Sequence, residues 1–143
     1  MFLADGFEEA EALVTLDLLR RAAVDVRTVG IGSEYITGTH NICVKADMTP
    51  EHFSNDSCDG IILPGGMPGT ENLYADATVQ AALDYCYKTK KLICAICAAP
   101  IIPGRKGYLK GIDAVCFPGF EDELLGANVL SCKCVNDKNF ITA

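Results

Sequence analysis

The sequence predicts an α/β fold in which helices cover both faces of a parallel sheet, and three features support this prediction. Compact apolar runs typical of buried strands occupy residues 60–63 and 91–96. Stretches with apolar residues three or four positions apart, as in helices, alternate with such runs. Loops rich in glycine and proline follow them, above all PGGMPG at 64–69. Because parallel strands need crossover helices, this alternation favours a sheet covered on both sides.

The first helix is predicted over DGFEEAEALVTLDLLRRA, residues 5–22, after a short apolar start at residues 1–4. Its apolar stripe contains Leu13, Leu16 and Leu19, with acidic residues towards its N-terminal end and arginines at its C-terminal end. The other predicted elements are strands at 24–31, 41–44, 60–63, 91–96, 114–117 and 139–142, a turn and short helix at 48–56, a helix at 72–88 and a helix after Cys97.

Length and charge limit the classes of function. A chain of 143 residues is enough for one domain with a sizeable core. Twelve basic against nineteen acidic residues give a net charge of −7, which argues against nucleic acid and anionic membranes as partners. No apolar segment approaches the ~20 residues that a membrane helix needs. The acidic N-terminus lacks an export signal, so we expect a cytoplasmic protein whose eight cysteines are free thiols.

Three strand ends bring loops to one edge of the predicted sheet. Asp5-Gly6 follows the first strand, residues 64–66 follow the strand at 60–63, and Cys97 follows the strand at 91–96. In open α/β sheets, ligands bind beyond the carboxyl ends of the strands. This edge is therefore the predicted site.

Cys94 and Cys97 lie three residues apart in KLICAICAAP, which leaves three interpretations open. A strand would point Cys94 into the sheet and place Cys97 at a tight strand–turn–helix, where small neighbours such as Ala98 accommodate a nucleophile. A helix N-terminus there would also lower the pKa of the Cys97 thiol. The alternatives are a redox pair of Cys94 and Cys97, or a zinc site that adds Cys132 and Cys134.

Four segments resemble one known family. AICAAP at 95–100, LPGGMPG at 63–69 and ADGFEEAEA at 4–12 resemble the ThiJ/PfpI superfamily, and most of all the branch that holds Parkinson disease protein seven and its bacterial relatives. FPGFEDEL at 117–124 is similar to the bacterial members. The motifs occur in the order and approximate spacing of the family, and the resemblance covers nearly the whole chain.

The resemblance implies a flavodoxin-like three-layer sandwich with a mostly parallel sheet, usually assembled as a homodimer. It maps the family's elbow cysteine onto Cys97 and its carboxylate partner onto Glu11. It also maps the oxyanion-site N–H groups onto Gly66 and Ala98. No cofactor and no metal are implied. Further residues expected to line the site are Gly65, His40 and Phe117.

The chain departs from the family at several positions. Ala98 stands where the protease-like branch has a histidine, and relatives often have a histidine in place of Phe117. Proton transfer is therefore expected from Glu11, water or substrate. Family members also begin earlier and continue into a closing helix. We therefore expect residues 1–143 to form a single domain with a short first strand, no C-terminal helix and one sheet face partly uncovered.

Two functions follow from these residues. In the first, Cys97 is the nucleophile of a glyoxalase- or deglycase-like enzyme that acts on small reactive dicarbonyls or their adducts, assisted by Glu11. In the second, oxidation of Cys97 makes the protein a redox-sensing stress-response protein or chaperone.

Overall fold

The computed structural model describes all of residues 1–143. Its strands are β1 (Phe2–Leu3), β2 (Val29–Gly30), β3 (Tyr35–Thr37), β4 (Cys43–Lys45), β5 (Gly60–Leu63), β6 (Leu92–Ala95), β7 (Asp113–Ala114), β8 (Asn128–Val129), β9 (Val135–Asp137) and β10 (Phe140–Thr142). Its helices are α1 (Glu9–Arg21), α2 (Gly69–Ala75), α3 (Ala77–Thr89) and α4 (Ile101–Arg105). Short 3-10 turns occupy Pro50–His52, Asn55–Ser57 and Glu121–Glu123. No helix is both long and apolar enough to cross a membrane.

The central sheet is mixed and mostly parallel. Strands β5, β6 and β10 pair in parallel, and β9 adds an antiparallel edge to β10. Strand β1 lies beside β5 and pairs in parallel with β2. Two smaller pairs complete the strands, β3 with β4 and β7 with β8. The predicted α/β class with a mostly parallel sheet is confirmed.

Helices lie on both faces of the sheet. Helices α2, α3 and α4 cover one face of the sheet. The side chains that this face contributes to the main core are those of Ile61, Leu63, Ile93, Ala95 and Phe140. On the opposite face, α1 packs over a smaller buried cluster, whose members are Met1, Leu3, Phe7, Ala12 and Ile36. Alternate residues of the sheet on this second face, Ile62, Cys94 and Ile141, are only partly buried.

The helix predicted over 72–88 is two helices that meet at Asp76. The backbone of Asp76 is extended (φ −82°, ψ 130°), and its Oδ1 accepts hydrogen bonds from the N–H groups of Thr78 (2.9 Å) and Val79 (3.0 Å). Asp76 therefore caps α3 and ends α2, because an aspartate at this position satisfies backbone donors that the helix leaves free. The prediction followed apolar spacing and missed this cap.

Two predicted strands are shorter in the structure. Of residues 24–31, only Val29–Gly30 form a strand, because the N–H of Val24 donates to the Leu19 carbonyl and closes the end of α1. Of residues 114–117, only Ala114 belongs to a strand. Beyond it, the N–H of Val115 donates to the Thr142 hydroxyl and that of Phe117 to the Cys97 carbonyl.

Candidate active site

The loops after β1, β5 and β6 meet at the carboxyl edge of the sheet, as predicted. The N–H of Glu8, just before α1, donates to the carbonyl of Gly65 after β5 at 2.9 Å. Glu11 lies one turn further along α1, and its Oε2 accepts a hydrogen bond from the N–H of Gly65 at 3.0 Å. Cys97 follows β6, and its side chain is hydrogen-bonded to Glu11 and lies next to Gly65. The edge thus brings together residues that are far apart in sequence.

Cys97 occupies an unusual backbone conformation. Its φ is +62°, in the left-handed region that a non-glycine residue rarely adopts and that costs about 1–3 kcal/mol. Two hydrogen bonds of 2.7 Å hold it there: its N–H donates to the carbonyl of Ala143, and its carbonyl accepts from the N–H of Phe117. Strained backbone of this kind concentrates at functional sites.

The glycines of the β5 loop allow the close approach of Glu11 and Cys97. A Cβ on Gly65 would lie 2.6 Å from Oε2 of Glu11 and 2.7 Å from Cβ of Cys97. Gly66 has a φ of +91°, and a side chain there would collide with the backbone around Phe7 and Glu8. Both positions require glycine for the site to keep its geometry.

The carboxyl group of Glu11 is half-buried and hydrogen-bonded to the Cys97 side chain. Burial raises the pKa of Glu11 above its ordinary value of 4.5, although the hydrogen bonds with Cys97 and Gly65 act in the opposite direction. A carboxyl with a raised pKa that touches a thiol is a candidate proton donor and acceptor for that thiol.

The environment of Cys97 contradicts one expectation. Burial raises the pKa of its thiol to about 11, and the hydrogen bond and negative charge of ionised Glu11 add to this effect. The N–H groups of Ala98 and Gly66 hydrogen-bond to the sulfur and act to lower that pKa. The expected lowering by a helix N-terminus is wrong, because residues 97–100 form a turn and α4 begins only at Ile101.

Glu11 and Cys97 therefore titrate as a coupled pair. While Glu11 is a carboxylate, its charge opposes formation of the Cys97 thiolate. A proton on Glu11 removes that charge and turns the carboxyl into a hydrogen-bond donor to the sulfur. The thiolate would then accept hydrogen bonds from Glu11, Gly66 and Ala98, so the position of one proton determines the state of the nucleophile.

Of two other predicted site residues, Phe117 is hydrogen-bonded to Cys97, whereas His40 is hydrogen-bonded to Glu9. Phe117 is hydrogen-bonded to Cys97 through its backbone, and its half-exposed ring packs edge-on against Phe120 with centroids 6.4 Å apart. His40 instead binds Glu9 in the first turn of α1: its N–H donates to Oε1 at 2.6 Å, and its Nδ1 lies 2.8 Å from Oε2.

The His40–Glu9 pair was not anticipated from the sequence. Burial raises the pKa of Glu9, but hydrogen bonds from His40 and Thr39 outweigh it and bring that pKa down to about 2. The hydrogen bond and charge of Glu9 in turn raise the pKa of His40 above 6.5. The ion pair ties the β3–β4 loop to α1. The run of glutamates offered no signal to distinguish Glu9 from its neighbours.

The structure separates Cys94 from Cys97. Cys94 lies inside β6, between Ile62 of β5 and Ile141 of β10, and burial raises the pKa of its thiol to about 11. Cys132 and Cys134 are exposed just before β9. Glu8, Glu9 and His40 are the one group of at least three possible metal-ligating side chains whose ligand atoms lie within 4.8 Å of one another. This geometry favours the single-nucleophile interpretation over the redox pair and the cysteine zinc site.

Comparison with known proteins identifies the family. The DJ-1/PfpI family matches residues 1–143, the full length of the chain. The chain belongs to the DJ-1/PfpI family. The resemblance inferred from its motifs is therefore confirmed.

Relatives and solved structures of the DJ-1/PfpI family align with almost all of the chain. Protein dj-1beta of Drosophila melanogaster is 30% identical over 100% of this chain and 78% of its own length. A deglycase of Pyrococcus abyssi is 27% identical over 98% of this chain and 85% of its own length. The crystal structure of a cysteine-to-alanine mutant of a DJ-1 superfamily protein from Salmonella typhimurium is 37% identical, with a TM-score of 0.92 over 99% of this chain and 77% of that chain.

Proposed function

We propose that this protein is a cysteine-dependent enzyme of the glyoxalase or deglycase type, which acts on small reactive dicarbonyls or their adducts. The observation that carries the proposal is the Cys97 sulfur, presented on a left-handed turn against the carboxyl of Glu11 and the N–H groups of Gly66 and Ala98. The name of the Pyrococcus abyssi relative, a deglycase, supports the same class of reaction.

In the first step, the Cys97 thiolate attacks the aldehyde carbon of a dicarbonyl such as methylglyoxal. A carbon–sulfur bond forms, and the electron pair of the C=O bond moves to the oxygen. The N–H groups of Gly66 and Ala98 are the donors for that oxyanion in this proposal. The proton held by Glu11 passes to the oxygen and completes a hemithioacetal.

In the second step, the Glu11 carboxylate accepts the proton from the carbon bonded to sulfur. Reprotonation at the neighbouring carbon yields the thioester of a hydroxy acid, with no net change in oxidation state. Water then hydrolyses the thioester, which releases the hydroxy acid and regenerates the Cys97 thiol. Since Phe117 cannot transfer protons, Glu11 carries both transfers. In this proposal the enzyme is a cytoplasmic homodimer and needs no cofactor.

Turnover of methylglyoxal by matched alanine variants tests this proposal. We expect Cys97→Ala to lose hydroxy acid formation to the background rate, whereas Cys94→Ala, three residues away, stays within a few fold of the parent. Circular dichroism establishes that both variants are folded. A folded Cys97→Ala protein that retains the parent rate would show that Cys97 is not the nucleophile.

A second candidate function is oxidation sensing, and the hydrogen-bond donors around the Cys97 sulfur favour it. A sulfinate at Cys97 would accept hydrogen bonds from protonated Glu11 and from the N–H groups of Gly66 and Ala98. Intact-mass analysis during a peroxide titration tests it. A sensor gains two oxygen atoms on Cys97 at low peroxide concentrations and changes its binding of partners, whereas an enzyme is only inactivated.

A further inference from the structure

A second pair of cysteines lies at the amino edge of the sheet, opposite the site of Cys97. Cys58 directly precedes the Asp59–Gly60 entry into β5, and Cys86 lies in the last turns of α3. Cys86 is a completely buried member of the main core, and Cys58 packs against that core while keeping partial exposure to solvent. Thus one thiol is accessible to a small reagent and the other is not.

Lys91 connects the backbones of these two cysteines. Its N–H donates to the Cys86 carbonyl at 3.0 Å, and its side-chain ammonium donates to the Cys58 carbonyl. One residue therefore fixes the end of α3 beside the start of β5. The ammonium group also places positive charge near the buried thiol of Cys86.

Helix α3, which carries Cys86, packs against β5 and the 3-10 turn at Asn55–Ser57 on either side of Cys58, and the two thiols are hydrogen-bonded. Burial raises the pKa of Cys86 to about 12, and the charge and hydrogen bond of Cys58 add to this, while Lys91 acts to lower it. The thiol of Cys58 also donates to the carbonyl of Asn55 at 3.6 Å. Cys86 is therefore a poor nucleophile towards external reagents, and Cys58 is the member of the pair that meets an oxidant first.

We propose that Cys58 and Cys86 are a redox-active pair that a hydrogen peroxide-type oxidant converts into a reversible disulfide. The Cys58 thiolate attacks one peroxide oxygen, the O–O bond breaks, and the other oxygen leaves as hydroxide, which a proton converts to water. Cys58 is then a sulfenic acid. The Cys86 sulfur attacks that sulfur and expels its hydroxyl group, which leaves as water with the Cys86 proton. Two thiols lose two electrons, and one peroxide becomes two water molecules.

The cross-link closes residues 58–86 into one loop, which contains β5, the glycines of the candidate active site, α2 and most of α3. A disulfide restricts the unfolded chain, so the oxidised form unfolds at a higher temperature than the reduced form. This pair does not depend on Cys97 or on the carbonyl chemistry proposed above. Each proposal can therefore fail while the other stands.

Peptide mass spectrometry tests the disulfide directly on the full chain. Reduced protein is treated with hydrogen peroxide, unfolded in denaturant with excess iodoacetamide, and digested with trypsin without reduction. Because no lysine or arginine lies between Lys45 and Lys88, Cys58 and Cys86 share one tryptic peptide, residues 46–88, with no other cysteine. We expect this peptide to be two hydrogens lighter than its dithiol form and to lack alkyl groups. Dithiothreitol before alkylation restores two alkyl groups.

Two variants make the outcome decisive. Cys58→Ser is expected to lose both the lighter peptide and the peroxide-induced increase in unfolding temperature, while its methylglyoxal turnover stays at the parent value. Cys97→Ala is expected to keep both effects. The proposal is overturned if peptide 46–88 still carries two alkyl groups at a peroxide dose that fully oxidises Cys97. It is equally overturned if Cys58 gains oxygen atoms without losing the two hydrogens.

Discussion

Cys94 and Cys97 belong to adjoining regions of one segment, the strand β6 and the turn after it, yet only the cysteine in the turn is hydrogen-bonded to a carboxyl group. Burial raises the pKa of both thiols to about 11. Cys94 lies between apolar side chains of neighbouring strands and near Cys134 and the N-terminal amino group, whereas Cys97 contacts a carboxyl group whose own pKa is raised. The comparison teaches that a nucleophile is distinguished here by the group that exchanges its proton, and not by the raised pKa alone.

Removing the acid–base function of Glu11 should abolish this difference. Glu11→Gln keeps an oxygen that can accept from the Gly65 N–H but cannot hold the proton of Cys97. We expect methylglyoxal turnover to fall by about 10²–10⁴-fold, the usual contribution of general acid–base catalysis. The matched control is Glu8→Gln, which retains an oxygen to cap α1 and should stay close to the parent rate. Equal losses in the two variants would contradict the role of Glu11.

Separating Glu11 from Cys97 by a methyl group should have a similar but smaller effect. The added Cβ of Gly65→Ala has no room beside Glu11 and Cys97. We expect turnover to fall by about 10²-fold, as when a catalytic group is misplaced by about 1 Å. Gly32→Ala is the control, because Gly32 has a φ of +83° but open space around it. That variant should lose stability but not turnover, and full activity of Gly65→Ala would contradict the steric interpretation.

Labelling with iodoacetamide compares the two thiols in the unmodified protein. At neutral pH we expect Cys97 to react at least ~10-fold faster than Cys94, because the Glu11 carboxyl can take the proton of Cys97 and backbone N–H groups can stabilise its thiolate. As pH rises towards the pKa of about 11, Cys94 should become reactive as well. Peptide-resolved mass spectrometry across pH gives both rates. Equal rates at neutral pH would show that the turn does not activate its cysteine.

A change from alanine to glycine should raise the free energy of unfolding at position 97 and lower it at position 94. Changing alanine to glycine at position 97 relieves the left-handed backbone, so Cys97→Gly should unfold with a free energy about 1 kcal/mol higher than Cys97→Ala. The same change at position 94 weakens a strand, so Cys94→Gly should be about 1 kcal/mol less stable than Cys94→Ala. Urea unfolding of the four variants measures both differences. Changes of the same sign would mean that the φ of +62° at Cys97 stores no strain.

The sequence was informative wherever one residue type and its local spacing determine structure. The glycine loop after β5, the buried strands β5 and β6 and the turn at Cys97 were predicted because apolar runs and glycine act locally. The meeting of Glu11, Gly66 and Cys97 came from the family motifs. The homodimer and the roles of the site residues remain predictions.

The features that the sequence did not predict depend on contacts between residues distant in the chain, or on residues that can take more than one structural role. Nothing in the residue type of Ala143 indicates that its carbonyl orients Cys97, since any residue could supply that group. The position of Asp76 allowed either a helix interior or a cap, and the cap prevailed. The raised pKa of Cys97 follows from burial and from Glu11, which a helix-dipole argument based on local sequence does not include.

The two hydrogen bonds that orient Cys97 also determine at which stage of folding the turn that positions its thiol can form. Both partners, Phe117 and Ala143, follow Cys97 in the chain, and one of them adjoins the last strand, β10. Local segments such as α1 and α3 can form from contacts near in sequence, but this turn needs two partners that are 20 or more residues away. The nucleophile is therefore assembled late, after parallel pairing that is slow to form. Until β10 pairs with β6, Cys97 lacks the hydrogen bond to Ala143 that helps to hold its left-handed turn.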